Sequence, residues 1–172
     1  RLELEKYFLE NNLCKQNNYK YFILNLFFDI LDIERLGDFM SKIVLVDGNN
    51  LLFRSYYATA YSGNMMKNKD GFPTNGLYGF VNMMNKIIYE EKPQYIMVAF
   101  DVGKTFRHEK YADYKGGRKE TPDELKMQFP VAKEILNFMG IKYLECPGYE
   151  ADDIIGTISK WTENDDDFEA LI

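Results

Sequence analysis

Two apolar runs that each end in an aspartate set the tightest limit on how this chain can fold. Residues 42–46 (KIVLV) run into Asp47, and residues 95–100 (YIMVAF) run into Asp101. Short runs of bulky and β-branched residues without polar alternation mark strands covered on both faces. Between them, Leu77, Phe80, Val81, Met84 and Ile88 recur at the spacing of a helix packed on a sheet, and Pro93 breaks the chain before the second run. Thr121, followed by Pro122 and with Glu124 three residues on, predicts a capping box. The helix it opens carries Leu125, Phe129, Ala132, Ile135, Leu136 and Met139, bends at Pro130 and ends at Gly140. Residues 141–144 then read as a third strand, 150–160 as a helix and 168–172 as the start of a fourth strand. Strand alternating with helix predicts a doubly wound, mostly parallel α/β sheet with helices on both faces. Such sheets take their ligands at the carboxyl ends of the strands, where Asp47 and Asp101 stand.

The third group of acids is Glu150, Asp152 and Asp153, in the first turn of the helix predicted at GYEADDIIGT. Acids in a first turn are ordinary helix-capping chemistry, worth roughly 0.3–1 kcal/mol through the helix dipole. Joined by Asp47 and Asp101 at equivalent strand ends, they make a second reading: ligands for a hard divalent ion such as magnesium, which takes carboxylate, water and phosphate oxygens. Two such ions about 4 Å apart can activate a water and stabilise the leaving oxygen of a phosphodiester. Two other phosphate motifs fail. Gly103-Lys104-Thr105 lacks the glycine of a P-loop, because Val98 stands five residues before Gly103. Asp47-Gly48-Asn49 has an asparagine where a haloacid-dehalogenase-like phosphatase carries its second aspartate.

Composition narrows the partners. The 172 residues suit one well-buried core, and the net charge of -6 argues mildly against nonspecific coating of nucleic acid. Charge is uneven: residues 104–119 hold six cations against two acids, whereas residues 163–169 hold five acids and no cation and read as a solvated loop. Cys14 and Cys146 form no metal spacing or disulfide framework, so a reducing, cytoplasmic setting is expected. His108 is the single histidine, which excludes zinc sites built from several. The apolar cluster YFILNLFFDIL is too short and too interrupted to span a membrane. Residues 1–39 precede a natural-looking start at Met40 and read as translated leader or as a helical extension outside the core. Leu36–Met40 can be encoded with AGGAG a few bases before ATG, the arrangement of a bacterial ribosome-binding site. The working domain is expected from residue 40 to residue 172.

In the basic stretch KTFRHEKYADYKGGRK, Arg107, Lys115 and Arg118 alternate with Phe106, Tyr111 and Tyr114. It reads either as a charged surface loop or as a phosphate-gripping and base-stacking segment. With IVLVDGNNLLFRSYYA, GFPTNGLYGF, VAFDVGKTFRHEKYADYKGGR and GYEADDIIGT in this order, the chain from Met40 to Ile172 closely resembles the 5′-nuclease domain of bacterial DNA polymerase I. That domain also occurs as free-standing 5′–3′ exonucleases and flap endonucleases. The resemblance implies a PIN-like (resolvase-like) fold and magnesium- or manganese-dependent hydrolysis at 5′ ends, flaps and nicks of DNA. By position it makes Asp47, Asp101, Glu150, Asp152 and Asp153 metal-site acids for two ions. It makes Arg107, Lys115 and Arg118 catalytic cations that hold the phosphate, and Tyr114 a base-stacking residue. The family continues past the fourth strand into a Gly-Asp-x-Asp stretch and a helix-hairpin-helix. Ile172 comes before both, so the resemblance implies a C-terminally truncated fold, and its expected partners are DNA and either a downstream polymerase region or a second chain carrying the remaining aspartates. A noncatalytic DNA-end-binding remnant and a PIN-like ribonuclease are the alternatives. The long basic stretch favours DNA flap threading over the latter.

Overall fold

The computed structural model describes residues 40–60, 65–111, 113–117 and 119–172. The leader or extension expected at residues 1–39 lies outside these, as do Cys14 and Arg118. Four parallel strands, β1 (Ser41–Asp47), β2 (Tyr95–Phe100), β3 (Lys142–Glu145) and β4 (Phe168–Leu171), form one sheet in the order β3-β2-β1-β4. The two longest strands lie side by side in the centre, with Val44 opposite Ile96 and Asp47 opposite Ala99. Alternation along them feeds two cores. Ile43, Leu45, Met97 and Ala99 pack under one face with Ile154, Ile155 and Ile158, while Val44, Val46, Val98 and Phe100 pack under the other with Leu52, Phe80, Met84 and Leu136. The doubly covered sheet expected from the unbroken apolar runs is therefore present.

Helices α1 (Gly48–Ala60), α2 (Asn75–Glu91), α4 (Asp123–Lys126) and α5 (Gln128–Phe138) supply the second core, and α6 (Ala151–Thr162) supplies the first. Between β2 and α4 lies a five-residue helix, α3 (Phe106–Lys110). Neither α1 nor α3 was expected from the sequence. Helix α1 follows β1 with no intervening turn residue: Asp47 Oδ1 accepts the Asn50 N–H at 2.9 Å, so the strand-end aspartate itself starts the helix.

Two expectations at the α4–α5 junction need correction. Helix α4 begins at Asp123 with Pro122 as its cap and no side-chain capping bond, so Thr121 opens no capping box. The interruption falls at Met127 rather than at Pro130. Proline lacks the N–H that would bond the carbonyl four residues back, Lys126, which is where α4 stops. The stop at Gly140 is as expected: α5 ends at Phe138, and Gly140 takes φ +71, a left-handed value that glycine adopts without a Cβ penalty. Strand β3 is shifted one residue on from the expected 141–144 and ends in a third strand-end acid, Glu145.

One buried polar group fixes α5 to α2. Gln128 is fully buried; its Oε1 accepts the Leu77 N–H at 3.0 Å in the first turn of α2, and its Nε2 donates to Asn75 Oδ1 at 3.2 Å. Thr74 gives α2 no side-chain cap, so a glutamine from another helix satisfies that orphan N–H. Gln128→Ala would leave a buried donor and a buried acceptor unpaired. We expect it to lower unfolding stability by about 2 kcal/mol in a urea titration.

Candidate metal and phosphate site

All five expected acids come to the carboxyl end of the sheet. Asp47 is the last residue of β1, Asp101 follows β2, Glu150 caps α6, and Asp152 and Asp153 lie in its first turn. Asp47, Asp101, Glu150 and Asp152 line one cleft of about 830 Å³. Burial first, and then the charges of Asp152 and Asp101, push the Asp47 carboxyl above its ordinary value. Carboxylates crowded enough to disfavour one another's ionisation are what a cation relieves. Asp101 is also structural: its Oδ1 accepts the Ala151 N–H at 2.7 Å, and its own N–H is held by Asn49 Oδ1 at 3.0 Å.

Asp153 and Glu150 are already paired. Asp153 faces Arg107, with Nη1–Oδ2 at 2.6 Å and Nη2–Oδ1 at 2.8 Å, a two-pronged contact, and its Oδ2 also accepts the Glu150 N–H at 2.9 Å. Glu150 Oε1 meets Lys115 Nζ at 2.7 Å, and its Oε2 accepts the Tyr114 hydroxyl at 2.9 Å. Lys115 Nζ also lies 3.9 Å from Asp101 Oδ2. Burial alone would raise both carboxyls, but the Lys115 ammonium and the Tyr114 hydrogen bond hold Glu150 below its ordinary value, and the Arg107 and Glu150 N–H bonds hold Asp153 below its own. In turn the Asp153 hydrogen bond raises the Arg107 guanidinium further. Among the described residues, no three acids or histidines stand together as a ready-made metal cage. The donor chemistry nevertheless fits a hard divalent ion, because four of the acids share one cleft and an ammonium already bridges two of them.

The segment that supplies these cations is tied down at its base. Phe106 N–H donates to the Gly148 carbonyl at 2.9 Å, the Phe106 ring packs on Tyr149 at 5.7 Å, and the Arg107 guanidinium lies 4.6 Å over Phe106. His108 serves the same anchorage, since its Nδ1 accepts the Thr105 N–H at 3.2 Å and its ring meets Tyr114 edge-on at 5.2 Å.

The cleft holds further residues to which the sequence reading gave no site role: Lys119, Lys126 and Lys133, the rings of Phe53 and Phe129, and Glu145. Glu145 was findable, because it ends the run IKYLE as Asp47 and Asp101 end theirs; Lys133 Nζ takes up its charge at 2.5 Å.

Lowered carboxyl values set a pH dependence. A depressed folded-state pKa contributes stability above the ordinary value and loses it as pH falls through the depressed one. Arg107→Met is therefore expected to cost about 2 kcal/mol at pH 7, less than a fully buried pair because the guanidinium is partly exposed. The difference from the unsubstituted chain should close as pH drops below 3.8, the ordinary value for Asp153, in a series of denaturant melts.

Residues 42–172 match the family model described as 5′-3′ exonuclease, N-terminal resolvase-like domain. The chain belongs to the 5′-3′ exonuclease family. DNA polymerase I of Streptococcus pneumoniae (strain ATCC BAA-255 / R6) is 49% identical over 125 residues, which cover 72% of this chain and 14% of that protein. A 5′-3′ exonuclease of Aquifex aeolicus (strain VF5) is 45% identical over 122 residues, covering 70% of this chain and 41% of that one. The chain thus spans a minor part of these 5′-3′ exonuclease relatives. A structure of the bacteriophage T5 D15 flap endonuclease with DNA and metal ions superposes with TM-score 0.50 at 24% identity over 72% of this chain and 45% of that one, so the two share a fold. The resolvase-like fold expected from the sequence is therefore that of this 5′-3′ exonuclease domain. No helix among the described residues is long and apolar enough to cross a membrane.

Proposed function

We propose that this domain is the metal-holding part of a 5′ nuclease that hydrolyses DNA phosphodiesters at free 5′ ends, flaps and nicks, with magnesium or manganese as its ions. The observation that carries the reading is the shared cleft, in which strand-end and helix-end carboxylates face the cations of one tethered basic segment. Asp47, Asp101, Glu150 and Asp152, with Asp153 beside them, are the ligands. When bound, the ions would supply an activated water and neutralise charge on the phosphate. Lys115 and Arg107 would hold the non-bridging phosphate oxygens, joined by Arg118, which lies outside the described residues. Tyr114 would present a flat face to a base. Lys119, Lys126 and Lys133 also line the cleft, Lys126 paired with Glu120 and Asp123 and Lys133 with Glu145. Membership in the 5′-3′ exonuclease family supports this reading, and polymerase I relatives make a linked polymerase region a natural partner.

A second reading has its own support. The cations already occupy Glu150 and Asp153, which fits a domain that binds DNA ends without cutting them. One assay separates the two: incubation of the 172-residue chain with a 5′-labelled flap in magnesium or manganese, with flap binding read by fluorescence anisotropy. Short labelled products, lost in Asp152→Asn, support the nuclease. Binding without products supports the end-binder, and neither binding nor products overturns both.

A further inference from the structure

Two of the cations expected to grip phosphate, Lys115 and Arg107, contact the acids proposed as metal ligands. Lys115 bridges Glu150 and Asp101, and Arg107 clamps Asp153 with both of its outer nitrogens. Their surroundings are dry enough for the contacts to matter, since the Glu150 side chain is 9% exposed and that of Lys115 22%. The backbone bears the mark of the same closure. Lys115 takes φ +60, and it and Lys92 are the non-glycine residues with positive φ among those described. A side chain in the left-handed region persists where surrounding contacts over-determine it. Here the contacts are the ammonium on Glu150 and a turn in which Gly116 N–H donates to the Asp113 carbonyl at 3.0 Å. Gly116 and Gly117 follow directly, and at the other end of the segment Phe106 is tied to Gly148.

We propose that Lys115 and Arg107 form a built-in counter-ion strap, so that a divalent ion reaches Glu150, Asp101 and Asp153 only as the two cations leave. Loading the metal and freeing the strap for a phosphate are then one coupled event. The strap neutralises the acids while the site lacks an ion, and the ion's arrival hands two cations to the DNA. Metal affinity and strap position are reciprocally linked, as two ligands competing for one site must be. This inference rests on the acids being metal ligands, as proposed above.

The test is manganese affinity, measured by electron paramagnetic resonance on the 172-residue chain and on Lys115→Met. Removing a competing charge-assisted contact should tighten manganese binding roughly ten-fold. A second readout needs no substitution: with saturating manganese, trypsin should cut after Lys115 roughly ten times faster in the unsubstituted chain, because the strap has lifted. Manganese that binds both forms equally, or binding that leaves the tryptic rate unchanged, would overturn the strap and leave the metal reading standing. No manganese bound by either form would overturn the metal reading, and the strap with it.

Discussion

Gly48→Ala should lower unfolding stability by about 3 kcal/mol and drop the melting temperature by several degrees, measured by circular dichroism. Gly48 is buried where β1 turns directly into α1, and a Cβ there would lie 2.5 Å and 2.6 Å from Phe100 Cε1 and Cζ and 2.7 Å from Val98 Cγ1. None of these neighbours yields easily. Phe100 is fully buried, with the rings of Phe129 and Tyr143 edge-on at 6.3 and 6.0 Å, and Val98 lies in a central strand. Relief would push α1 off the sheet and carry Asp47 and Asn49 with it. Manganese affinity should therefore fall together with stability, a joint loss that a surface substitution would not give.

Asp101→Ala should reduce metal-dependent flap cleavage at least roughly 100-fold, since even groups that merely orient metal ligands are worth 10–100-fold. The same substitution removes the acceptor for the Ala151 N–H, a cap worth about 1 kcal/mol, so alanine alone would mix two effects. Asp101→Asn separates them. Its side-chain oxygen can still accept that N–H, so stability should stay within about 0.5 kcal/mol of the unsubstituted chain while cleavage still falls. Equal activity in Asp101→Asn and the unsubstituted chain would show that Asp101 serves the helix and not the reaction.

How far the sequence alone led depended on the kind of signal. Residues 42–46 and 95–100 were legible as doubly buried strands because their pattern is set by the sheet itself, and their ends then located Asp47 and Asp101. The first turn of α6 was legible for the same local reason. Helix α1 was not, because Gly48-Asn49-Asn50 looks like a loop. Its start depends on Asp47 capping Asn50 and on the space that Gly48 leaves for Phe100, a contact fifty-two residues distant in sequence. Thr121 misled because a local capping pattern lost to Pro122 and to the docking of Gln128 against α2, fifty-one residues away at Leu77. Composition marked residues 104–119 as basic and aromatic but could not say what they touch. That Lys115 and Arg107 lie on the acids follows from the Phe106–Gly148 tie, which only the folded chain makes.

The proposed nuclease role requires the carboxylates to act as one divalent-cation site. The most direct test is a manganese titration of the 172-residue chain followed by electron paramagnetic resonance, with Asp47→Asn and Asp152→Asn alongside. Both residues line the cleft and lie outside the strap contacts, so their loss removes ligands without removing a partner of Lys115 or Arg107. Manganese bound by the chain and weakened at least roughly ten-fold in each variant is the predicted result. Affinity unchanged in both variants would contradict it and return the acids to the role of helix caps.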